Sequence, residues 1–168
     1  MSSVFQKSAI RSELVSKRQM AKVIDKVGSD DDALIAATLV KSGLITEYQA
    51  QQLHTGRTKL TLGPYLVTDF IGQGGMGQVF KAVHKVMGRV CAIKVLPLEK
   101  STELSRESFT RVSRAPAELV CPIVVRAFDA GQAGNEHYLL TEYVAGTYLR
   151  NLHPRGRPLS QQHVAVPL

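Results

Sequence analysis

Tryptophan is absent from the 168 residues, and aromatic residues supply only 6% of them. The core of such a chain has to be mainly aliphatic. Cysteine is scarce too. Cys91 and Cys121 have neither C-x-x-C spacing nor enough neighbouring histidine for a zinc site, so both are expected as buried free thiols in a reducing cytoplasm. No stretch approaches the roughly 18 apolar residues of a membrane span. The N-terminus, MSSVFQKSAIRSELVSKRQ, has no apolar core of signal-peptide length. A soluble, cytoplasmic protein without a membrane partner is expected. Runs of like charge are also missing. Residues 1–62 carry nine Lys/Arg against six Asp/Glu, and residues 63–168 carry twelve against eight, so the net charge of +7 is spread evenly. A solvated basic surface follows, rather than a nucleic-acid site. No internal repeat or low-complexity tract stands out.

What is present is globular: 44% hydrophobic and 21% charged residues, in a length suited to one domain or slightly more. The first sixty residues read as helices. Ser12 is a candidate cap for a segment running to Val27, with Gly28 as its stop. Ser29-Asp30-Asp31-Asp32 sets acidic groups at the start of a second helix, Ala33 to Lys41, which ends at Ser42-Gly43. Thr46 caps a third, residues 47–54, closed by Gly56. Three helices in 1–60 make a small helical module.

The pattern changes at Gly63-Pro64. Tyr65–Val67 with Phe70-Ile71, Gln78–His84, Arg89–Leu96, Ile123–Phe128 and His137–Val144 read as strands, with 129–136 as a turn. Residues 101–119 read as a helix interrupted by Pro116. Between the first two strands lies Ile71-Gly72-Gln73-Gly74-Gly75-Met76-Gly77-Gln78-Val79, with glycines at G-x-G-x-x-G spacing. A dinucleotide fold needs those glycines between a strand and a helix. A Walker loop needs G-K-S/T after them, which is absent. What remains is a hairpin whose tip can pass close over phosphates, because glycine has no side chain in the way.

Cys91-Ala92-Ile93-Lys94 then sets a lysine on the third strand. Together with the L-G-P-Y-x-V lead-in, V-V-R-A-F-D-A-G (124–131) and T-E-Y-V (141–144), these motifs resemble the small lobe of bacterial serine/threonine protein kinases. The resemblance covers about residues 62–152. It implies an α+β fold: a protein-kinase-like small lobe, a five-stranded antiparallel sheet with one main helix, preceded by the helical module of 1–60. Residues 153–168, rich in Pro, Gly and Arg, are expected to be a poorly ordered tail.

The resemblance also implies ATP as ligand, with magnesium as in the family. Ile71, Gly72, Gln73, Gly74, Gly75, Met76, Gly77 and Gln78 would form the loop over the phosphates. Val79 and Ala92 would pack on the adenine, and Lys94 would meet the α and β phosphates. The Glu142 carbonyl and Val144 N–H would bond the adenine edge, and Thr141 would be the gatekeeper.

Three departures qualify this. Neither H-R-D-x-x-x-x-N nor D-F-G occurs, so the catalytic aspartate and the magnesium ligands are absent and no catalytic residue is assigned. Counting back ten residues from Pro122, where such kinases carry the glutamate that pairs with the lysine, gives Val112, with Glu107 and Glu118 elsewhere. Lys94 is therefore expected to lack its usual carboxylate. Tyr148 stands where relatives often place an acidic residue. The expectation is an ATP-binding, kinase-like chain that is inactive alone, a pseudokinase in effect. The alternatives are a non-catalytic module that binds another protein through its helices or exposed lobe face, and a truncated remnant of a full kinase.

Overall fold

A computed structural model describes residues 3–74, 77–97 and 124–146. Gly75 and Met76, the expected helix over 101–119 with Glu107, Val112, Pro116 and Glu118, Cys121, Tyr148 and the tail over 153–168 lie outside the described residues.

Four helices open the chain: α1 Val4–Arg11, α2 Lys17–Val27, α3 Asp32–Lys41 and α4 Glu47–His54. The expected helix from Ser12 to Val27 starts later. Ser12 closes α1, its Oγ donating to the Ala9 carbonyl at 2.9 Å. Ser16 caps α2 through a reciprocal box with Gln19, in which each side chain serves the other residue's backbone N–H. Asp31 caps α3 and Thr46 caps α4. Thr46 and Gln49 form the same box as Ser16 and Gln19.

That match exposes a repeat. The segment through α3 and α4 follows the one through α1 and α2 at a spacing of thirty residues, contrary to the sequence reading. Ser12 and Ser42 occupy equivalent C-caps, and Ser42 Oγ donates to Leu39 O at 2.9 Å. Glu13 and Gly43 both turn left-handed, at φ 62° and 71°. Phe5 and Ile35, Ala9 and Leu39, Val15 and Ile45, Met20 and Ala50, and Val23 and Leu53 are equivalent pairs. All ten are buried in one cluster. A single helical hairpin leaves its apolar stripe exposed. Two copies packed together bury both, at about 1.5–3 kcal/mol for each large aliphatic side chain.

The sheet has strands β1 Thr61–Leu62, β2 Tyr65–Gly74, β3 Gly77–His84, β4 Val90–Pro97, β5 Ala127–Ala133 and β6 Glu136–Glu142, in the spatial order β1-β2-β3-β4-β6-β5. Every neighbouring pair is antiparallel. The five expected strands are there, and the two-residue β1 adds a sixth. β2 runs unbroken where the sequence reading divided it. Bulges between Val67 and Asp69 and between Phe70 and Gly72 shift its register, which is why its alternation looked interrupted. β5 is displaced towards the C-terminus, and the expected turn at 129–136 shrinks to Gly134 and Asn135. The polar stretch Asp129–Gln132 stays extended because β6 supplies its backbone partners. Gly131 lies under Tyr138, and a Cβ there would come within 2.7 Å of the tyrosine oxygen.

One side of the sheet holds the second core, with Leu62, Tyr65, Val67, Ala82, Cys91, Ile93, Val95, Tyr138 and Leu140 buried together. Tyr48 of α4 packs against this cluster. The helices and the sheet are therefore in contact, through α4 and β2.

Candidate functional site

The alternation of β4 separates two faces. Cys91, Ile93 and Val95 point into the core, and Ala92 and Lys94 point to the other side, both half-buried. Register extends that second face across three strands. Val79 on β3 lies opposite Lys94, and Lys81 lies opposite Ala92. On β6, Leu139 lies opposite Lys94 and Thr141 opposite Ala92. Directly paired residues share a face. Four of the candidate residues, Val79, Ala92, Lys94 and Thr141, thus share one face of the sheet, flanked by Leu139 and Lys81.

β2 and β3 converge on the glycines above this patch, with Gly72 opposite Val79, Gln73 opposite Gln78 and Gly74 opposite Gly77. The two described glycines nearest the tip differ. Gly77 has φ 134°, and a Cβ there would overlap the Val95 backbone carbonyl. Glycine at that position is required by the fold itself. At Gly74 no atom of the described residues lies within 4 Å of where a Cβ would stand, so among them nothing demands glycine there.

The remaining candidates fall less neatly. Ile71 sits in the second bulge of β2. Gln73 and Gln78 are exposed. Gln78, opposite Val95, belongs to the core side of the sheet and lines a cleft with Tyr48 and Phe80. The Glu142 carbonyl accepts a bond from Thr141 Oγ1 at 3.3 Å, and the Glu142 N–H donates to Arg126 O at 2.9 Å. A carbonyl has two lone pairs, so the Glu142 oxygen can accept more than the Thr141 bond. Val144 is 66% exposed just beyond the strand.

Lys94 has an interaction partner in the fold, and the segment expected to lack its usual carboxylate, with Val112, lies outside the described residues. Cys91 is a buried free thiol on the far side from this patch, and burial pushes its pKa above the usual thiol range. No group of three or more His, Cys, Asp or Glu side chains able to hold a metal ion occurs among the described residues. Sequence reasoning missed a contact at the patch edge: Lys81 Nζ lies 4.7 Å from the centre of the Tyr143 ring, a cation–π contact that pins the segment after β6 to β3. No motif announces it, since it depends on strand register.

No helix among the described residues is long and apolar enough to cross a membrane. A model of the protein kinase domain matches residues 65–166. The chain is 37% identical over 101 residues to the serine/threonine-protein kinase PksC of Streptomyces coelicolor, covering 57% of this chain and 18% of that protein. It is 34% identical over 99 residues to the serine/threonine-protein kinase PknH of Mycobacterium bovis, covering 58% and 17%. With the probable serine/threonine-protein kinase pknA2 of Bifidobacterium longum it shares 32% over 93 residues, covering 53% and 12%. The chain thus spans less than a fifth of the length of these relatives.

Proposed function

The chain belongs to the protein kinase family, and from that premise we propose that its sheet holds ATP beneath the glycine hairpin. Val79 and Ala92 take the adenine on this face. The Glu142 carbonyl and Val144 N–H fix its edge, and Thr141 limits how deep it sits. Lys94 holds the α and β phosphates. Gly72, Gly74 and Gly77, with Ile71, Gln73, Gly75, Met76 and Gln78 around them, let backbone N–H groups close over the phosphate chain. The observation that carries this reading is the register that joins Val79, Ala92, Lys94 and Thr141 on one face. The space left at Gly74 by the described residues fits a phosphate group approaching the backbone. When bound, ATP supplies the transferable phosphoryl group.

Residues 1–60 act as a helical module and residues 62–152 as the nucleotide-binding small lobe. Transfer to Ser or Thr also needs carboxylates that receive the hydroxyl proton and hold magnesium. The motifs that bear them do not occur in these 168 residues. Alone, this stretch of chain binds nucleotide without transferring phosphate.

Thermal unfolding with and without ATP, with and without magnesium, tests the reading. Ligand at a hundredfold excess over its Kd stabilises the folded state by about 2.7 kcal/mol. A shift of that order which Lys94→Met weakens is expected. Cooperative unfolding with no shift overturns nucleotide binding. Phosphorylation of a Ser/Thr substrate by the pure 168-residue chain, abolished by Lys94→Met, overturns the claim that transfer needs residues from outside it.

A further inference from the structure

The two reciprocal capping boxes differ in what their spare donors do. In α2, Ser16 Oγ accepts from Gln19 N and Gln19 Oε1 accepts from Ser16 N, both in an exposed setting. Among the described residues the remaining donors of that box make no further bond. In α4 the same two bonds form at 3.1 and 2.9 Å. Here the spare donors reach β2. Thr46 Oγ1 donates to Thr68 O at 2.6 Å, and Gln49 Nε2 donates to Val67 O at 2.7 Å. Gln49 is only 2% exposed.

Those two carbonyls sit at the first bulge of β2, where the ladder to β3 is interrupted. A bulge redirects the strand that follows it, and that strand leads to Gly72 and Gly74. Between the two capping residues, the Tyr48 ring lies 6.3 Å from Phe80 on β3, and Phe80 lies 5.6 Å from Phe70 on β2. One turn of α4 therefore grips both strands of the glycine hairpin at its base.

We propose that the capping box of α4 is a latch that fixes the angle of the glycine hairpin, which makes Thr46 and Gln49 positioning residues for the nucleotide. The effect on the nucleotide rests on the ATP reading above, and the hold on the hairpin does not. With the latch made, the strands that lead to Gly74 and Gly77 keep their angle to β4. With it broken, the hairpin is freer and its backbone N–H groups are no longer aimed at the phosphates.

The test keeps the caps and removes only the outward donors. Thr46→Asp with Gln49→Glu retains good N-cap and N3 acceptors but leaves nothing to donate to Thr68 or Val67. Ser16→Asp with Gln19→Glu adds the same charge to the other copy as the control. Because Glu at position 49 is buried, Thr46→Asp alone is the second variant, and Thr46→Ser should restore wild-type behaviour. Hydrogen exchange of residues 69–80 without nucleotide, and the affinity for magnesium-ATP, are the readouts. Two lost bonds predict exchange about tenfold faster and ATP binding about tenfold weaker, with the control unchanged. Unchanged exchange in both α4 variants overturns the proposal, as does faster exchange with unaltered ATP affinity. If the wild-type chain binds no ATP, the functional reading fails by itself. Exchange then decides alone whether α4 holds the hairpin.

Discussion

The two helical hairpins share the caps on either side of their inner turn, the left-handed turn itself and five buried positions, yet they fill those positions differently. The first sets Phe5 and Ala9 where the second sets Ile35 and Leu39. One copy balances a large ring with a methyl group, and the other uses two residues of middle size. The total is close enough for both to pack into one core, as cores tolerate exchanged shapes when volume is kept. Their second difference lies in polar groups: the capping box of the second copy holds β2, and that of the first faces solvent. The repeated unit is thus a scaffold, and among the described residues the capping-box bonds to the sheet come from the second copy.

The sharpest way to break this balance is to make the copies alike. Leu39 has no exposed surface. Leu39→Ala, which copies the residue at position 9, should cost about 2–5 kcal/mol, because Ile35 is no match for Phe5 in volume. Ala9→Leu, the reverse change, should overpack beside Phe5 and cost about 1–3 kcal/mol. Chemical denaturation of each variant checks both. A loss under 1 kcal/mol for Leu39→Ala would mean that the two copies repack independently of their large residues.

The same contrast, between a position the fold constrains and a counterpart it leaves open, recurs in the glycine hairpin. Gly77→Ala should destabilise by about 1–3 kcal/mol from backbone strain alone, with the overlap on the Val95 carbonyl added to it. Gly74→Ala should leave stability within about 0.5 kcal/mol and weaken ATP binding, since its Cβ enters only the space assigned to phosphate. Unfolding curves paired with ATP titrations separate the two. Equal stability losses at both positions would remove the argument that Gly74 is kept for a ligand.

Much of this was legible in the sequence wherever the signal is local. Thr46 as a cap, Asp31 at the start of α3, the hairpin around Gly72 to Val79 and Lys94 on the strand after it all depend on residues close together in the chain. The repeat escaped notice because its marks are chemically unlike: Glu13 stands where Gly43 would have announced a helix stop, and Phe5 and Ala9 do not resemble Ile35 and Leu39. Ser12 was misread as a start because serine suits both ends, and the deciding sign was the Ser16–Gln19 pair. β5 was misplaced because Asp129, Gly131 and Gln132 have little strand preference and are held by β6. The latch lay beyond sequence reading, since Thr46 and Gln49 stand 22 and 18 residues from the carbonyls they bond.

The smallest expected effect tests the repeat most directly. Glu13 and Gly43 make the same turn, with N–H bonds to Ile10 O at 3.1 Å and to Val40 O at 2.9 Å. Only Glu13 carries a Cβ in the left-handed region, at a cost of about 1–2 kcal/mol. Glycine removes that strain but is freer when unfolded, by about 0.5–1 kcal/mol. Glu13→Gly should therefore stabilise the chain by about 0.5–1 kcal/mol, and Gly43→Ala should destabilise it. Opposite shifts of the unfolding midpoint would show that the two turns are one structural element used twice. A midpoint that falls for Glu13→Gly would mean that the glutamate side chain contributes more than its backbone strain costs, and the equivalence of the two turns would stop at their dihedral angles.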